Sequence, residues 1–142
     1  MISIKCFALK TKHLACNISI NGVEGIFLID SGASNSCIDK RNEKKYKLEK
    51  FKKSYSASGA GNGKFDVYKS KQAKISHKSK LICNLNFLLI DMESINNALN
   101  ESDNIKINGI IGADLLTKKT VSYTHLRAHE TKANLVCRLL LE

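Results

Sequence analysis

The sequence predicts a mainly β domain, folded as a small closed barrel with one or two short helices. Three observations support this prediction: short apolar runs recur along the chain, turn residues separate them at short spacing, and neither an internal repeat nor a linker interrupts them. The chain has 142 residues, which is enough for a domain with a hydrophobic core. We therefore expect one domain built from packed strands.

The first strands are predicted from alternating and continuous apolar runs. In "HLACNISING" the apolar residues alternate along one face, which indicates a half-buried strand, and Asn21-Gly22 is a strong hairpin-turn signal. The returning strand covers 24–29, and four consecutive apolar residues at 26–29 indicate burial on both faces. This strand ends at Asp30, and "SCID", after a loop of small residues, predicts a further short strand.

The second half of the sequence predicts a hairpin, a core strand and a strand-to-helix joint. Residues 40–53 are charged and predict a solvated helix or loop, followed by hairpin arms near 54–58 and 64–75 around a glycine-rich tip at 59–63. Alternating apolar residues in "LICNLNFLLIDM" predict one core strand. "ESINNALNES" predicts a short helix, and "INGIIGADLL" predicts a strand, a glycine and a helix in that order.

The charge of the chain does not by itself indicate a nucleic-acid partner. The chain carries 23 lysines and arginines against 13 acidic residues, a net charge of +10. Arg41 is the only arginine before residue 121, although arginine is the usual reader of phosphates and bases. Abundant lysine and asparagine are also what an AT-rich genome produces. We therefore expect no nucleic-acid partner, and a basic nucleic-acid-binding barrel is the least favoured alternative.

Cysteine usage and hydropathy indicate the expected surroundings of the protein. Before residue 121 the sequence has four cysteines, at positions 6, 16, 37 and 83, and no CxxC pair that would suggest a zinc site. Free cysteines favour a reducing, cytoplasmic compartment. No apolar run has the length of a membrane span, and "MISIKCFALK" is too short and polar for a secretory signal, so we expect a soluble protein without a membrane partner.

Residues 121–142 resemble translated sequencing adapter. A reverse translation of 121–131 reproduces a common transposase adapter, and the match resumes within the Asn134 codon. Such segments are excluded from fold reasoning, so His125 and His129, which would otherwise suggest metal ligands, are set aside. We expect the natural domain to cover 1–119, with its C-terminal strand missing, and residues 120–142 to be adapter-derived.

Three motifs now stand in order: Asp30-Ser31-Gly32-Ala33 after an apolar strand, a glycine-tipped hairpin, and "IIG" (110–112) leading into a helix. In this order they resemble the retropepsin-like aspartic proteases, including bacterial members, and the resemblance covers nearly all of 12–119. It implies an acid-protease barrel with a flap hairpin, which is the closed barrel expected above.

The resemblance also implies roles for individual residues. Asp30 would be the catalytic carboxylate, the Ser31 hydroxyl would help to lock two active-site loops together, and Gly32 would approach the carboxylate and donate its N–H. Gly112 would lie beneath the active-site loop, where a side chain would clash. Residues 57–63 would form the flap, and the residues expected to contact substrate are Ala33, Ser58, Gly59, Ala60 and Gly61.

Amide hydrolysis without a metal or a covalent intermediate requires water to be activated between two acids that share a proton, and we expect the reaction to need no cofactor. The sequence holds no second Asp-Ser/Thr-Gly. We therefore expect a homodimer in which each chain supplies Asp30, acting on a peptide or protein substrate. Two alternatives stay open: a peptide-binding module of the same fold without turnover, and one half of a pepsin-like chain whose second half lies beyond Lys119.

Overall fold

The computed structural model describes residues 2–58, 64–117 and 135–139. These form eleven strands and two α-helices. The strands are β1 Ile2–Ala8, β2 Leu14–Ile20, β3 Val23–Ile29, β4 Cys37–Asp39, β5 Lys50–Ser58, β6 Lys64–Ser70, β7 Ala73–His77, β8 Lys80–Leu85, β9 Leu88–Ile90, β10 Gly109–Ile111 and β11 Leu135–Leu139; the helices are α1 Glu93–Asp103 and α2 Ala113–Leu116. The mainly β class with two short helices is therefore confirmed.

The strands form one sheet in the order β11-β1-β2-β3-β10-β4-β9-β6-β5, and β7 branches off by pairing with both β2 and β8. The expectation of a closed barrel is wrong for the described strands, because β11 and β5, at the two ends of this order, do not pair. The branch gives the reason. β7 pairs with Ser19 and Ile20 at the end of β2, so the hairpin of β7 and β8 is a side branch of the sheet and does not bridge β5 and β11.

The hairpin of β2 and β3 is formed as predicted. Ile20 pairs with Val23, and both turn residues have positive φ, 49° at Asn21 and 83° at Gly22. Two central residues with positive φ define the turn that matches the twist of a hairpin. The Asn21 side chain also donates to the Tyr46 carbonyl oxygen at 2.8 Å, so the turn is held against the rest of the domain.

Strand β3 separates two hydrophobic clusters. Phe27 is fully buried in one cluster, and Leu28 is buried in the other, with Met92 and Leu99 around helix α1. Burial of this strand on both faces is therefore confirmed at its centre, while Ile26 and Ile29 are half-buried. The strand lies between β2, antiparallel, and β10, parallel.

The hairpin predicted over 54–75 is present, but its first arm is longer than predicted and its second arm is shorter. β5 begins at Lys50 and β6 ends at Ser70. The backbone of Ser70 donates to the carbonyl oxygen of Phe87 at 2.8 Å, and the Ser70 hydroxyl accepts from the Phe87 N–H at 2.9 Å. These bonds fix the end of β6, and residues 73–77 form a separate strand, β7, instead of continuing the hairpin arm.

The predicted single core strand over 81–89 is two strands, β8 and β9. The strand is interrupted at residues 86–87, where Phe87 bonds to Ser70 at the end of β6. A bulge also changes the burial pattern within β8: Ile75 pairs with Cys83 whereas Ser76 pairs with Leu81, so Ile82 is an extra residue. One added residue reverses which side chains face the core. Ile82 is accordingly buried, and Leu81 is 55% exposed. The remaining elements, α1 and the strand–glycine–helix joint of β10 and α2, are confirmed.

The C-terminal segment contributes β11, which pairs antiparallel with β1.

That residues 120–142 are translated from sequencing adapter is a statement about the gene, and it stays a prediction. Sequencing the source gene beyond the Lys119 codon tests it: we expect a different continuation there, and the same 23 residues would contradict it. In the part of the chain that the structure describes, no helix is long and apolar enough to cross a membrane.

Gly25 in β3 leaves the space that the Tyr46 side chain occupies. Tyr46 is fully buried, with its ring centroid 6.1 Å from that of Phe27, and a Cβ added to Gly25 would collide with the Tyr46 hydroxyl oxygen. That hydroxyl has no hydrogen-bond partner among the described residues. Burial raises the pKa of Tyr46 to about 12.

We predict that substitutions at these two positions differ in their effect on stability. Gly25→Ala should lower the free energy of unfolding by about 1–3 kcal/mol, because a methyl group overfills the site. Tyr46→Phe removes an unpaired buried hydroxyl and should change it by less than about 1 kcal/mol or raise it. Urea denaturation of both variants measures the difference, and equal destabilisation by the two would contradict this packing.

The raised pKa of Tyr46 also predicts that the protein loses stability at high pH. Tyr46 keeps its proton to about pH 12 in the folded chain, while an unfolded tyrosine loses it near pH 10, so raising the pH across this window favours unfolding. Stability should fall more steeply in wild type than in Tyr46→Phe. Parallel curves for the two proteins would contradict the assignment.

Candidate active site

Asp30 is held at the end of β3 by the strand beside it. β3 and β10 pair in parallel up to Ile29 and Ile111, and the Asp30 N–H donates to the Ile111 carbonyl oxygen at 2.9 Å. The Asp30 carbonyl oxygen then accepts from the Ala33 N–H at 3.1 Å, which closes a tight turn. The backbone of Asp30 is therefore fixed on both sides, while its side chain is exposed in the single chain.

Gly32 orients the Asp30 carboxylate. Its N–H donates to Asp30 Oδ1 at 2.9 Å, and a Cβ on Gly32 would lie 3.2 Å from the same oxygen. The contact is thus close enough that a side chain at this position would press on the carboxylate. The expected geometry, with glycine backbone next to the acid, is present.

Gly112 lies directly beneath the loop that follows Asp30. A Cβ on Gly112 would be 2.6 Å from the Ala33 carbonyl oxygen and 3.0 Å from the Asn35 carbonyl group. The next residue, Ala113, donates its N–H to that Ala33 oxygen at 2.7 Å. Only a residue without a side chain allows the joint of β10 and α2 to support the loop this closely.

A second contact between these two segments was not anticipated from the sequence. The Asp114 carboxylate accepts both the Ser36 N–H, at 3.0 Å, and the Ser36 hydroxyl, at 2.6 Å. The same hydroxyl accepts the buried N–H of Gly112 at 2.9 Å. Asp114 also lies in the first turn of α2, where a negative charge suits the helix dipole. Its partner is 78 positions away, and nothing in the local sequence pattern indicates it.

Cys37, the next residue along, is not a candidate nucleophile. Burial, with a smaller contribution from the negative Asp114, raises the pKa of its thiol to about 11. The thiolate is the nucleophilic form of cysteine, so this thiol is unreactive near neutral pH. The chemistry of the site therefore centres on the carboxylate.

Two other carboxylates near these elements are engaged in structural contacts. Asp114 holds Ser36, as described, and the fully buried Asp39 lies 3.3 Å from the guanidinium of Arg41. Arg41 also pairs with Asp91 at 2.7 Å and Glu93 at 3.3 Å, which ties β4 to the start of α1. Among the described side chains, no three His, Cys, Asp or Glu residues are grouped as metal ligands.

The structure brings together part of the predicted site. Asp30, Ser31 and Gly32 are consecutive in one exposed loop, and Ala33 is half-buried with its carbonyl oxygen used by Ala113. Ser58 ends β5 opposite Lys64, so the described arms of the predicted flap are present. Gly59, Ala60 and Gly61 lie outside the described residues.

A cleft elsewhere on the domain contains none of the predicted site residues. It has a volume of about 570 Å³ and is lined by residues of β1 and β2, by Glu24 of β3, and by His77 with the turn that follows it. Asp30, by contrast, lies on an open loop.

Comparison with known proteins identifies the family. A sequence profile for aspartyl protease matches residues 16–115, which include Asp30 and the joint at Gly112. The chain belongs to the aspartyl protease family. No curated protein matches it significantly.

Solved structures show the fold of this aspartyl protease family member. A retropepsin-like aspartic protease from Rickettsia conorii superposes with a TM-score of 0.59 at 15% identity, over 97% of this chain and 86% of that one. The retroviral protease-like domain of Ddi1 from Leishmania major gives a TM-score of 0.52 at 19% identity, over 78% and 77% of the two chains. At such identities the likeness establishes the retropepsin fold.

We predict that the contact between Ser36 and Asp114 stabilises this aspartyl protease fold. Asp114→Asn replaces one of the two oxygens that accept hydrogen bonds from Ser36 by an NH2 group, and Ser36→Ala leaves the buried Gly112 N–H unpaired. Each should lower the free energy of unfolding by about 1–3 kcal/mol. Glu101→Gln, the same charge change at an exposed helical residue, is the control, and stability equal to this control would contradict the role.

Proposed function

We propose that the protein is an aspartic endopeptidase whose active form is a homodimer with one Asp30 from each chain. The observation that supports this most directly is the geometry of Asp30, fixed at the end of β3 with Oδ1 on the Gly32 N–H and its side chain exposed. Membership of the aspartyl protease family supports the proposed reaction, hydrolysis of peptide bonds.

A single Asp30 does not complete the chemistry. In the proposed site one carboxylate takes a proton from water, and the other, protonated, polarises the carbonyl group that the water attacks. Two carboxyl groups in contact cannot both ionise easily, so they share a proton and titrate as a pair. The proton returns to the leaving nitrogen as the tetrahedral intermediate breaks down.

The second carboxylate is proposed to come from a second copy of the chain. The sequence has only one Asp-Ser/Thr-Gly motif, and both Asp39 and Asp114 are committed to structural contacts. A two-fold axis beside the exposed loop would place two Asp30 side chains opposite each other, because a symmetric interface uses the same surface twice. The same contact would cover the exposed residues Ser31 and Gly32.

Each neighbouring residue then has a proposed role. The Ser31 hydroxyl would bond to the opposing loop, and Gly32 would keep Asp30 oriented through its N–H. Ala33 and residues 58–61 of the flap would contact an extended peptide substrate. The proposed reaction uses no cofactor.

Substitution of Asp30 tests this proposal. Asp30→Asn keeps the size of the side chain but removes the shared proton, so cleavage of an unstructured peptide mixture at mildly acidic pH should fall by at least about 10³-fold. Asp103→Asn, at the last residue of α1, is the matched control and should cleave peptides at the wild-type rate. Cleavage that survives Asp30→Asn would contradict the assignment.

A transition-state mimic separates a protease from a binding module without turnover. A pepstatin-like statine peptide should raise the melting temperature of wild type and not that of Asp30→Asn, because it binds where the two carboxyl groups meet. Peptide binding without cleavage, and no shift with the mimic, would favour the inactive module.

A further inference from the structure

The positive charge of the protein is concentrated in one part of the chain. Residues 40–80 hold 14 of the 23 lysines and arginines but only 3 of the 13 acidic residues. The rest of the chain is left with nine basic and ten acidic residues and is nearly neutral. An AT-rich genome would raise the lysine content throughout, so it does not explain this segregation.

Much of this charge lies along one edge of the sheet. We define the lysine strip as Lys44, Lys45, Lys47, Lys50, Lys52, Lys53, Lys69 and Lys71. The strip follows β5, the last strand in the sheet order, with the turn before β5 and the end of β6 beside it. Lys50 is opposite Ser70 in the pairing of β5 and β6, and Lys71 donates its N–H to the Glu49 carbonyl oxygen at 2.7 Å.

The strip has more cations than its own carboxylates can pair. Glu43 pairs with Lys50 at 3.4 Å, and Glu49 pairs with Lys71 at 3.5 Å. The other six lysines of the strip have no ion pair with a described carboxylate, and all but the half-buried Lys69 are exposed. An anionic partner would therefore meet lysines that are not already neutralised.

The same edge offers apolar contacts and backbone groups. Phe51 and Tyr55 on β5 are 44% and 49% exposed, and Lys53 Nζ lies 5.7 Å from the centroid of the Tyr55 ring. Among the described strands β5 pairs only with β6, so its outer backbone groups are available to an added strand. An extended polypeptide uses all three features: backbone pairing, aromatic contact and charge.

We propose that the lysine strip, with Phe51 and Tyr55, is a docking surface for acidic, extended segments of the protein substrate. The inference rests on the proposed peptidase function and names the class of substrate that the lysine strip favours. A polypeptide fits better than a nucleic acid because β5 presents backbone groups. The single arginine nearby, Arg41, is held by Asp39, Asp91 and Glu93.

The lysine strip has a simpler alternative explanation, because lysines on an edge strand prevent edge-to-edge association of sheets. Protection of the edge predicts no preference among peptides. A docking surface predicts tighter binding of acidic peptides and a strong effect of salt, because exposed charges are screened within about 10 Å at 0.1 M salt. The two explanations therefore differ in a measurable way.

Binding is measured with the Asp30→Asn chain, so that cleavage does not interfere. The probes are a fluorescein-labelled peptide with glutamate at alternate positions, the same peptide with glutamine, and a single-stranded oligonucleotide of equal charge. We expect the glutamate peptide to bind at least about tenfold more tightly than the glutamine peptide, with the difference lost at about 0.5 M salt. Equal affinity for both peptides, or tighter binding of the oligonucleotide, would overturn the proposal.

Charge reversal locates the surface. Lys44→Glu, Lys52→Glu and Lys53→Glu combined should weaken binding of the glutamate peptide about tenfold, because three unpaired cations of the strip are lost. The matched control combines Lys10→Glu, Lys80→Glu and Lys106→Glu, three exposed lysines outside the strip with the same change in net charge. Equal weakening by the two triple variants would show a general effect of charge and contradict the strip.

The test separates this inference from the proposed function. In chains that keep Asp30, kcat/KM should be higher for glutamate-flanked than for glutamine-flanked peptides. The three substitutions in the strip should lower this ratio, and the three control substitutions should not. Cleavage of both peptides at the same rate contradicts the docking surface alone. Absence of cleavage of either peptide contradicts the peptidase, while the binding measurements with Asp30→Asn still decide the surface.

Discussion

The structure of the site depends on the close approach of two chain segments that are far apart in sequence. The parallel pairing of β3 and β10 brings the loop after Asp30 onto the joint at Gly112, with the Ala33 carbonyl oxygen only 2.6 Å from where a Gly112 Cβ would be. A parallel pair needs a long connection, and here the connection contains β4 to β9 and α1. The flap arms, the lysine strip and the buried Asp39 all belong to that connection. If the pairing of β3 and β10 were lost, the Asp30 N–H would lose its acceptor and the loop its support.

Hydrogen bonding explains why the loop that follows β3 keeps one conformation although it is exposed. The N–H groups of Asp30, Gly32, Ala33 and Ser36 all donate within the protein. Backbone groups that are satisfied in this way keep one conformation without burial of the side chain. Asp30 can therefore stay accessible to substrate, and to a second copy of the chain, while its carboxylate is already oriented. The polar contact of Ser36 with Asp114 and the apolar packing of β3 fix the same loop from two sides.

Local patterns in the sequence predict the elements well, and distant contacts account for the errors. Asn21-Gly22 defines the first hairpin, and the four apolar residues before Asp30 define a strand buried at its centre, because both signals are local. The bulge at Ile82 and the end of β6 at Ser70 depend on partners in other strands, which no single segment reveals. For the same reason Asp30 and Gly32 were found from their motif, whereas the role of Ser36 required the structure. The closed barrel was an inference about overall topology, and the branch at the end of β2 replaces it.

The central claim is that catalysis needs two copies of Asp30, one from each chain. The most direct measurement is activity after wild-type chain, at fixed concentration, is co-refolded with increasing amounts of the Asp30→Asn chain. Mixed dimers hold one carboxylate and should be inactive, so activity per wild-type chain should fall in proportion to the wild-type fraction. Unchanged activity per wild-type chain would show that one Asp30 suffices, or that its partner lies in the same chain, and would contradict the account.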